Sequence, residues 1–214
     1  QTSWFGFDFF ITACIRQANF KTIKKMKKTI YALIAFLIVG MSAVNAQHEV
    51  GAATLPDTVT FEGQELIYNG AGVRKKAWFK LYSGGLYLLQ KSSNAYDIRT
   101  ADESMAIKLN ITSGMISSKK MIKAVNEGFE KSTKGKTAPL SSEIETFKGF
   151  FSDEINDGDI FDIVYIKDKG VIVYKNGTEK GVIPGFEFKK ALFGIWLGMK
   201  PADKKLKNGM LGNN

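Results

Sequence analysis

Apolar residues at 105, 107, 109 and 111 alternate with Ala106, Lys108 and Asn110, which predicts a strand over Met105–Ile111 with one buried face. Met121, Ile122, Val125 and Phe129 recur at helical spacing, so Ser117–Ser132 reads as an amphipathic helix with Ser117 or Ser118 as its N-cap. Lys134–Pro139 breaks that pattern, and the stripe Ile144, Phe147 and Phe151 predicts a second helix over Leu140–Phe151. Asp157-Gly158 is a turn into three closely spaced strands, Asp159–Ile166, Gly170–Lys175 and Glu179–Ile183. Asn176-Gly177 between the last two is the strongest short-range hairpin signal in the chain. Pro184-Gly185 closes the meander, then Phe186–Leu197 predicts an apolar helix and Ala202–Leu211 a short basic one.

The preceding region is less regular. Val59–Phe61 and Glu65–Ile67 flank Glu62-Gly63-Gln64 and predict a small hairpin. Val73–Gln90 is aromatic and aliphatic enough to read as one long strand, with Trp78, Leu81, Tyr82, Leu86, Tyr87 and Leu88 on it. Gly84-Gly85 in its middle suggests a bulge or a close backbone crossing. Ser92–Asp102 is polar and reads as a turn plus a short helix, and residues 47–58 as an extended leader. Element order and type together predict an α+β fold, an antiparallel sheet with helices packed on one face.

Residues 1–46 follow a different logic. Lys24, Lys25, Lys27 and Lys28 precede the apolar run Ile30–Met41, and the small-residue end Ser42–Ala46 follows. That is the pattern of a secretory signal peptide over 26–46, with cleavage expected after Ala46. The run is short for a membrane span, which takes about 20 residues; an uncleaved anchor is the alternative. Residues 1–25 lie upstream of Met26 and read as an extension outside the natural protein. Setting aside 1–46 removes six basic residues and one acid, so the net charge falls from +9 to +4. The argument for a nucleic-acid partner weakens accordingly. The single cysteine, Cys14, goes with that segment, so residues 47–214 contain no disulfide, which is ordinary for a bacterial periplasmic domain.

Candidate chemistry is sparse. The sole histidine, His48, lies in the leader, and no Gly-x-Ser-x-Gly elbow exists, so nucleophilic catalysis has no apparatus. No metal-ligand spacing occurs, and no cofactor is expected. Asp153–Gly158 resembles a calcium loop only until Ile155 and Val164 fall where oxygen ligands belong. Gly70-Ala71-Gly72-Val73-Arg74-Lys75 begins like a dinucleotide fingerprint, but Lys75 replaces the third glycine and a strand follows, not a helix. Gly70 and Gly72 then read as loop glycines. The lysines at 119, 120 and 123, and those at 204, 205 and 207, read as solvated faces, with membrane-surface contact as the alternative.

Arg74 is the exception. A guanidinium cannot lose its charge, so an inward-facing Arg74 calls for an anionic partner, either a protein acid such as Glu65 or Asp162 or a ligand head group. Tyr82 shares its face if Val73–Gln90 is one strand. Yet eight residues at roughly 3.3 Å each put it about 26 Å away, so shared contact requires a break or strong bend.

The segments Gly-Ala-Gly-Val-Arg-Lys-Lys (70–76), Phe-Lys-Leu-Tyr-Ser-Gly-Gly-Leu-Tyr-Leu (79–88) and Ala-Leu-Phe-Gly-Ile-Trp-Leu-Gly (191–198) occur in that order, with Lys200-Pro201-Ala202-Asp203 after them. In this the chain resembles the chalcone isomerase superfamily, most of all its exported bacterial chalcone isomerase-like domains, over residues 59–212. The resemblance implies an open-faced β-sandwich, a large antiparallel sheet covered by a layer of helices. It also implies one of two activities. One branch closes chalcones to flavanones with an arginine, a threonine, a tyrosine and an asparagine; a non-catalytic branch binds fatty acids, holding the carboxylate with arginine and tyrosine. By position Arg74 matches the arginine and Tyr82 the threonine or the second branch's tyrosine. Ser117 stands where the helix tyrosine belongs, Ala124 where the asparagine belongs, and Ile195 near another site threonine. Ring closure needs preorganised donors that serine and alanine do not replace. The expectation is therefore a periplasmic, non-catalytic binder of a fatty acid or similar apolar carboxylate, with Arg74, Tyr82 and Ser117 as ligand-binding residues. A chalcone isomerase-type lyase and a ligand-free structural domain are the alternatives.

Overall fold

The computed structural model describes residues 47–213 of the 214-residue chain; the expected signal segment 26–46 and extension 1–25 lie outside the described residues. Seven strands form one antiparallel sheet: β3 (Thr58–Phe61), β4 (Gln64–Lys76), β5 (Phe79–Leu88), β6 (Met105–Ile111), β7 (Ile160–Ile166), β8 (Gly170–Lys175) and β9 (Thr178–Ile183). Their spatial order is their sequence order, a simple meander. The described residues also form the helices α1 (Ala95–Thr100), α2 (Ser118–Ser132), α3 (Ser141–Gly149), α4 (Phe186–Leu197) and α5 (Lys204–Met210). The α+β architecture of a large sheet under a helical layer is as the pattern predicts. No described helix is long and apolar enough to cross a membrane.

Strand alternation divides the side chains between two layers. Leu86, Ile107, Leu109, Phe161, Ile163, Val171 and Val173 face the helices and join Phe129, Phe147, Phe188 and Phe193 in the main core. The intervening residues, including Tyr87, Ala106, Val164 and Ile172, form a smaller apolar cluster on the outer face. Residues 47–58, expected as a leader, supply β1 (Gln47–Val50) and β2 (Ala53–Pro56), a separate hairpin on that outer face. The Ser83 hydroxyl donates to the Val50 carbonyl and the Tyr87 hydroxyl to the Pro56 carbonyl. His48 stacks on Tyr68 at 3.8 Å and meets the Asp57 carboxylate at 2.5 Å.

The main correction concerns Val73–Gln90. It is not one strand but the end of β4, a two-residue turn at Ala77-Trp78, and β5. Ala77 adopts a left-handed φ of 54°, a conformation that alanine seldom takes, so no glycine, asparagine or proline announces the turn. Gly84-Gly85 carries no bulge; the register is continuous there, and it shifts instead at Tyr68/Gly70 and Arg74/Lys75. These glycines make room for side chains. A Cβ on Gly84 would lie 2.8 Å from Met210 Cε, and one on Gly85 2.8 Å from Leu55 Cδ1. Gly70 and Gly72 are likewise not loop residues but part of β4, where α5 rests directly on the strand backbone: a Cβ on Gly70 would lie 2.3 Å from the Gly209 carbonyl oxygen. The third helix begins with a 3-10 turn, Ala138–Leu140, and α5 starts at Lys204 because Asp203 caps it, accepting from the Lys205 and Leu206 amides.

One charge lies wholly inside. Lys189 on α4 has no exposed surface, and its ammonium donates to the Ile98, Arg99 and Ala101 carbonyls at 3.0, 3.0 and 2.7 Å. These are orphan carbonyls at the C-terminal end of α1, so the lysine acts as a cap delivered from another helix.

Candidate functional site

The Ala77-Trp78 turn creates the site. Folding β4 back on β5 makes Arg74 and Tyr82 a cross-strand pair, so residues eight apart in sequence face one another on the helix side of the sheet. Arg74 Nη1 lies 3.5 Å from the Tyr82 hydroxyl, at the outer limit of a hydrogen bond, and its Cζ lies 5.6 Å from the ring centroid. Neither acid proposed for Arg74 reaches it. Asp162 points to the outer face and pairs with Lys108 at 2.5 Å, and Glu65 is exposed on β4. Burial pushes the Asp162 carboxyl above the ordinary carboxylate range, against the pull of the Lys108 ammonium. Among the described residues Arg74 forms no ion pair, and its other guanidinium donors have no protein acceptor.

Beside this pair is a cavity of about 570 Å³ between the β4–β5 hairpin and α2. Its apolar wall is Leu81, Ile116, Met121 and Ala124; its mouth carries Trp78, Phe79 and Met115, which are 82, 42 and 42 % exposed. Its charged lining is Arg74, Lys76, Lys120 and Lys123 against a single acid, Glu127. The size suits a small amphiphile.

Helix α2 is positioned by its apolar stripe. Met121, Val125 and Phe129 are buried, and Gly128 lets α4 approach until a Cβ there would lie 2.9 Å from Ile195 Cγ2. Ile195 therefore serves helix packing and is not among the residues lining the cavity. Ser117 is likewise outside that lining: it is exposed, and its Oγ accepts the Lys120 amide as the N-cap of α2. Ala124 does line the cavity, leaving a methyl group where the resemblance expected an amide.

Trp196 is the residue the sequence reading missed. Its indole Nε1 donates to the Tyr82 hydroxyl at 3.0 Å from the buried side of the site. The signal was present, since an indole N–H in an apolar helix needs a partner. Tyr82 is 3 % exposed and receives two N–H donors on its oxygen. Its own proton has no acceptor among the described residues. The site thus offers an anion two converging donors, a guanidinium and a phenol held by an indole.

A family described as chalcone isomerase-like matches residues 47–212. Among solved structures, the chain is similar to the crystal structure of a fatty-acid binding protein of Arabidopsis thaliana, with a TM-score of 0.60 and 18 % identity over 75 % of this chain and 92 % of that one. No curated protein matches it.

Proposed function

The chain belongs to the chalcone isomerase-like family, and we propose that it binds a fatty acid or similar apolar carboxylate without transforming it. The observation that carries this reading is a guanidinium with no protein anion, set beside a buried phenol at the edge of an apolar cavity. The carboxylate accepts hydrogen bonds from the Arg74 guanidinium and the Tyr82 hydroxyl, and the chain lies along Leu81, Ile116, Met121 and Ala124. The fatty-acid binding of the Arabidopsis protein supports the ligand class. The isomerase alternative is the weaker reading, because Ser117 is occupied as a helix cap and Ala124 offers no donor. We also read the protein as exported, on the 26–46 pattern and the lack of cysteine beyond Cys14; fractionation of expressing bacterial cells tests that separately.

Titration of the protein with a long-chain fatty acid, followed by calorimetry, tests the reading. Binding is expected, with Arg74→Ala weakening it roughly ten- to a hundredfold, the worth of a charge-assisted hydrogen bond. Absence of binding, or equal affinity in Arg74→Ala, overturns it. Turnover of a chalcone by the wild-type protein would favour the isomerase.

A further inference from the structure

The tip of the β4–β5 hairpin is costly in ways that the fold does not repay. Ala77 is left-handed, and Trp78 is 82 % exposed, its one aromatic neighbour among the described residues being Phe79, ring centroids 5.5 Å apart. Lys75 and Lys80 are directly opposed across the strands, a like-charge pair that destabilises a hairpin. The run from Arg74 to Lys80 holds four cations and no acid. The start of α2 adds Lys119, Lys120 and Lys123 on the far side of the cavity mouth. Among the described residues none of these lysines forms an ion pair. Three of the six large hydrophobic side chains exposed on the described domain, Trp78, Phe79 and Met115, are gathered at this one mouth.

We propose that this tip is a membrane-docking element, in which Trp78 and Phe79 insert at the interface of an anionic phospholipid bilayer while the surrounding lysines meet its head groups. Aromatic residues ringed by lysine match the two layers of such a surface, apolar below and negative above. A protein partner would instead call for a flat or grooved apolar patch with few lysines at its centre. The docked face is the cavity mouth, so an amphiphile enters from the bilayer without crossing water. That last step rests on the ligand reading above; docking itself does not.

The full chain is mixed with phosphatidylcholine vesicles, with and without roughly a quarter phosphatidylglycerol, carrying acyl-brominated lipid. Trp78 emission is isolated by subtracting the Trp78→Phe variant, so that the emission of Trp4 and Trp196 cancels. Trp78 is expected to shift blue and be quenched on anionic vesicles. About 0.5 M salt, where charges beyond ~4 Å are screened, reverses the effect in the wild-type protein. The double variant Lys75→Glu/Lys80→Glu, checked for folding by circular dichroism, weakens docking at least about twenty-five-fold, from about fivefold for each of the two lysines lost. It keeps its fatty-acid affinity, which separates this outcome from failure of the ligand reading. The proposal is overturned if Trp78 emission is unchanged by anionic vesicles, even with the protein attached to them. It is equally overturned if Trp78 is already shielded from iodide without vesicles, because another copy or another segment then covers the tip.

Discussion

Replacing Lys189 by methionine tests how the fold tolerates its buried charge. Burial pushes the ammonium from its ordinary 10.5 down to about 8, with the nearby Asp102 carboxylate resisting and Arg99 adding repulsion. Below about pH 8 both the folded and the unfolded chain hold the proton, and the burial penalty is at its full value. Between about 8 and 10.5 the unfolded chain holds a proton that the folded chain has released, so stability rises with pH. At about 1.4 kcal/mol per pH unit, the rise across that window is ~3 kcal/mol. Lys189→Met removes this dependence. It also strands the buried Ile98 carbonyl, at a cost of about 1–3 kcal/mol, while the half-buried Arg99 and Ala101 carbonyls turn to water. At pH 7 the two effects nearly offset, and the variant unfolds within about 1 kcal/mol of wild type. Near pH 10.5 the wild type is ahead by roughly 3 kcal/mol more than at pH 7. Urea midpoints of both proteins across this range measure the difference, and groups common to both cancel. A pH-independent difference would refute the reasoning, since it means that three carbonyls and the Tyr165, Phe186 and Phe193 rings hold the ammonium as well as water does.

Two further outcomes follow from the site and its support. Tyr82→Phe, which keeps the ring and removes the hydroxyl, should weaken fatty-acid binding about tenfold and leave the Trp196 indole N–H without a partner; unchanged affinity in calorimetry would remove Tyr82 from the site. Gly209→Ala drives a methyl group to 2.2 Å from the Ala71 carbonyl oxygen, so α5 must lift off β4, and thermal unfolding should show a loss of at least ~2 kcal/mol; a wild-type melting temperature would show that the helix does not need that approach.

What was legible in the sequence was what local chemistry encodes. Helix α4 begins and ends where Pro184-Gly185 and Gly198 place it, and β6 follows its clean alternation. The Asn176-Gly177 turn has φ of 51° and 79°, the doubly left-handed geometry that this dipeptide favours. The Ala77-Trp78 turn was hidden because alanine and tryptophan carry no turn preference; the hairpin is held by strand pairing, not by its loop. One missed turn then misplaced the site. With 74–82 drawn as a single strand, Arg74 and Tyr82 stand about 26 Å apart; folded at residue 77, they touch. Gly70 and Gly72 were misread for a related reason, since nothing local distinguishes a glycine that bends the chain from one that admits a helix.

The same hairpin explains why Tyr82, more than Arg74, argues for a ligand. A half-buried guanidinium can hydrate its free donors through an open cavity mouth, so its lack of a protein anion is tolerable. A phenol that is 3 % exposed has far less water within reach, only what enters the cavity that it lines. Its oxygen is occupied from one side by the Trp196 indole and approached from the other by Arg74, which orients the remaining O–H away from both. A buried donor so oriented wants an acceptor, and Glu127 is the only acid in the cavity lining. A ligand carboxylate satisfies the phenol and the guanidinium at once. A guest without a hydrogen-bond acceptor leaves the phenol unpaired and is disfavoured for that reason; an alcohol oxygen can accept from Tyr82, so under the proposed reading a preference for acids over the corresponding alcohols comes from the Arg74 charge.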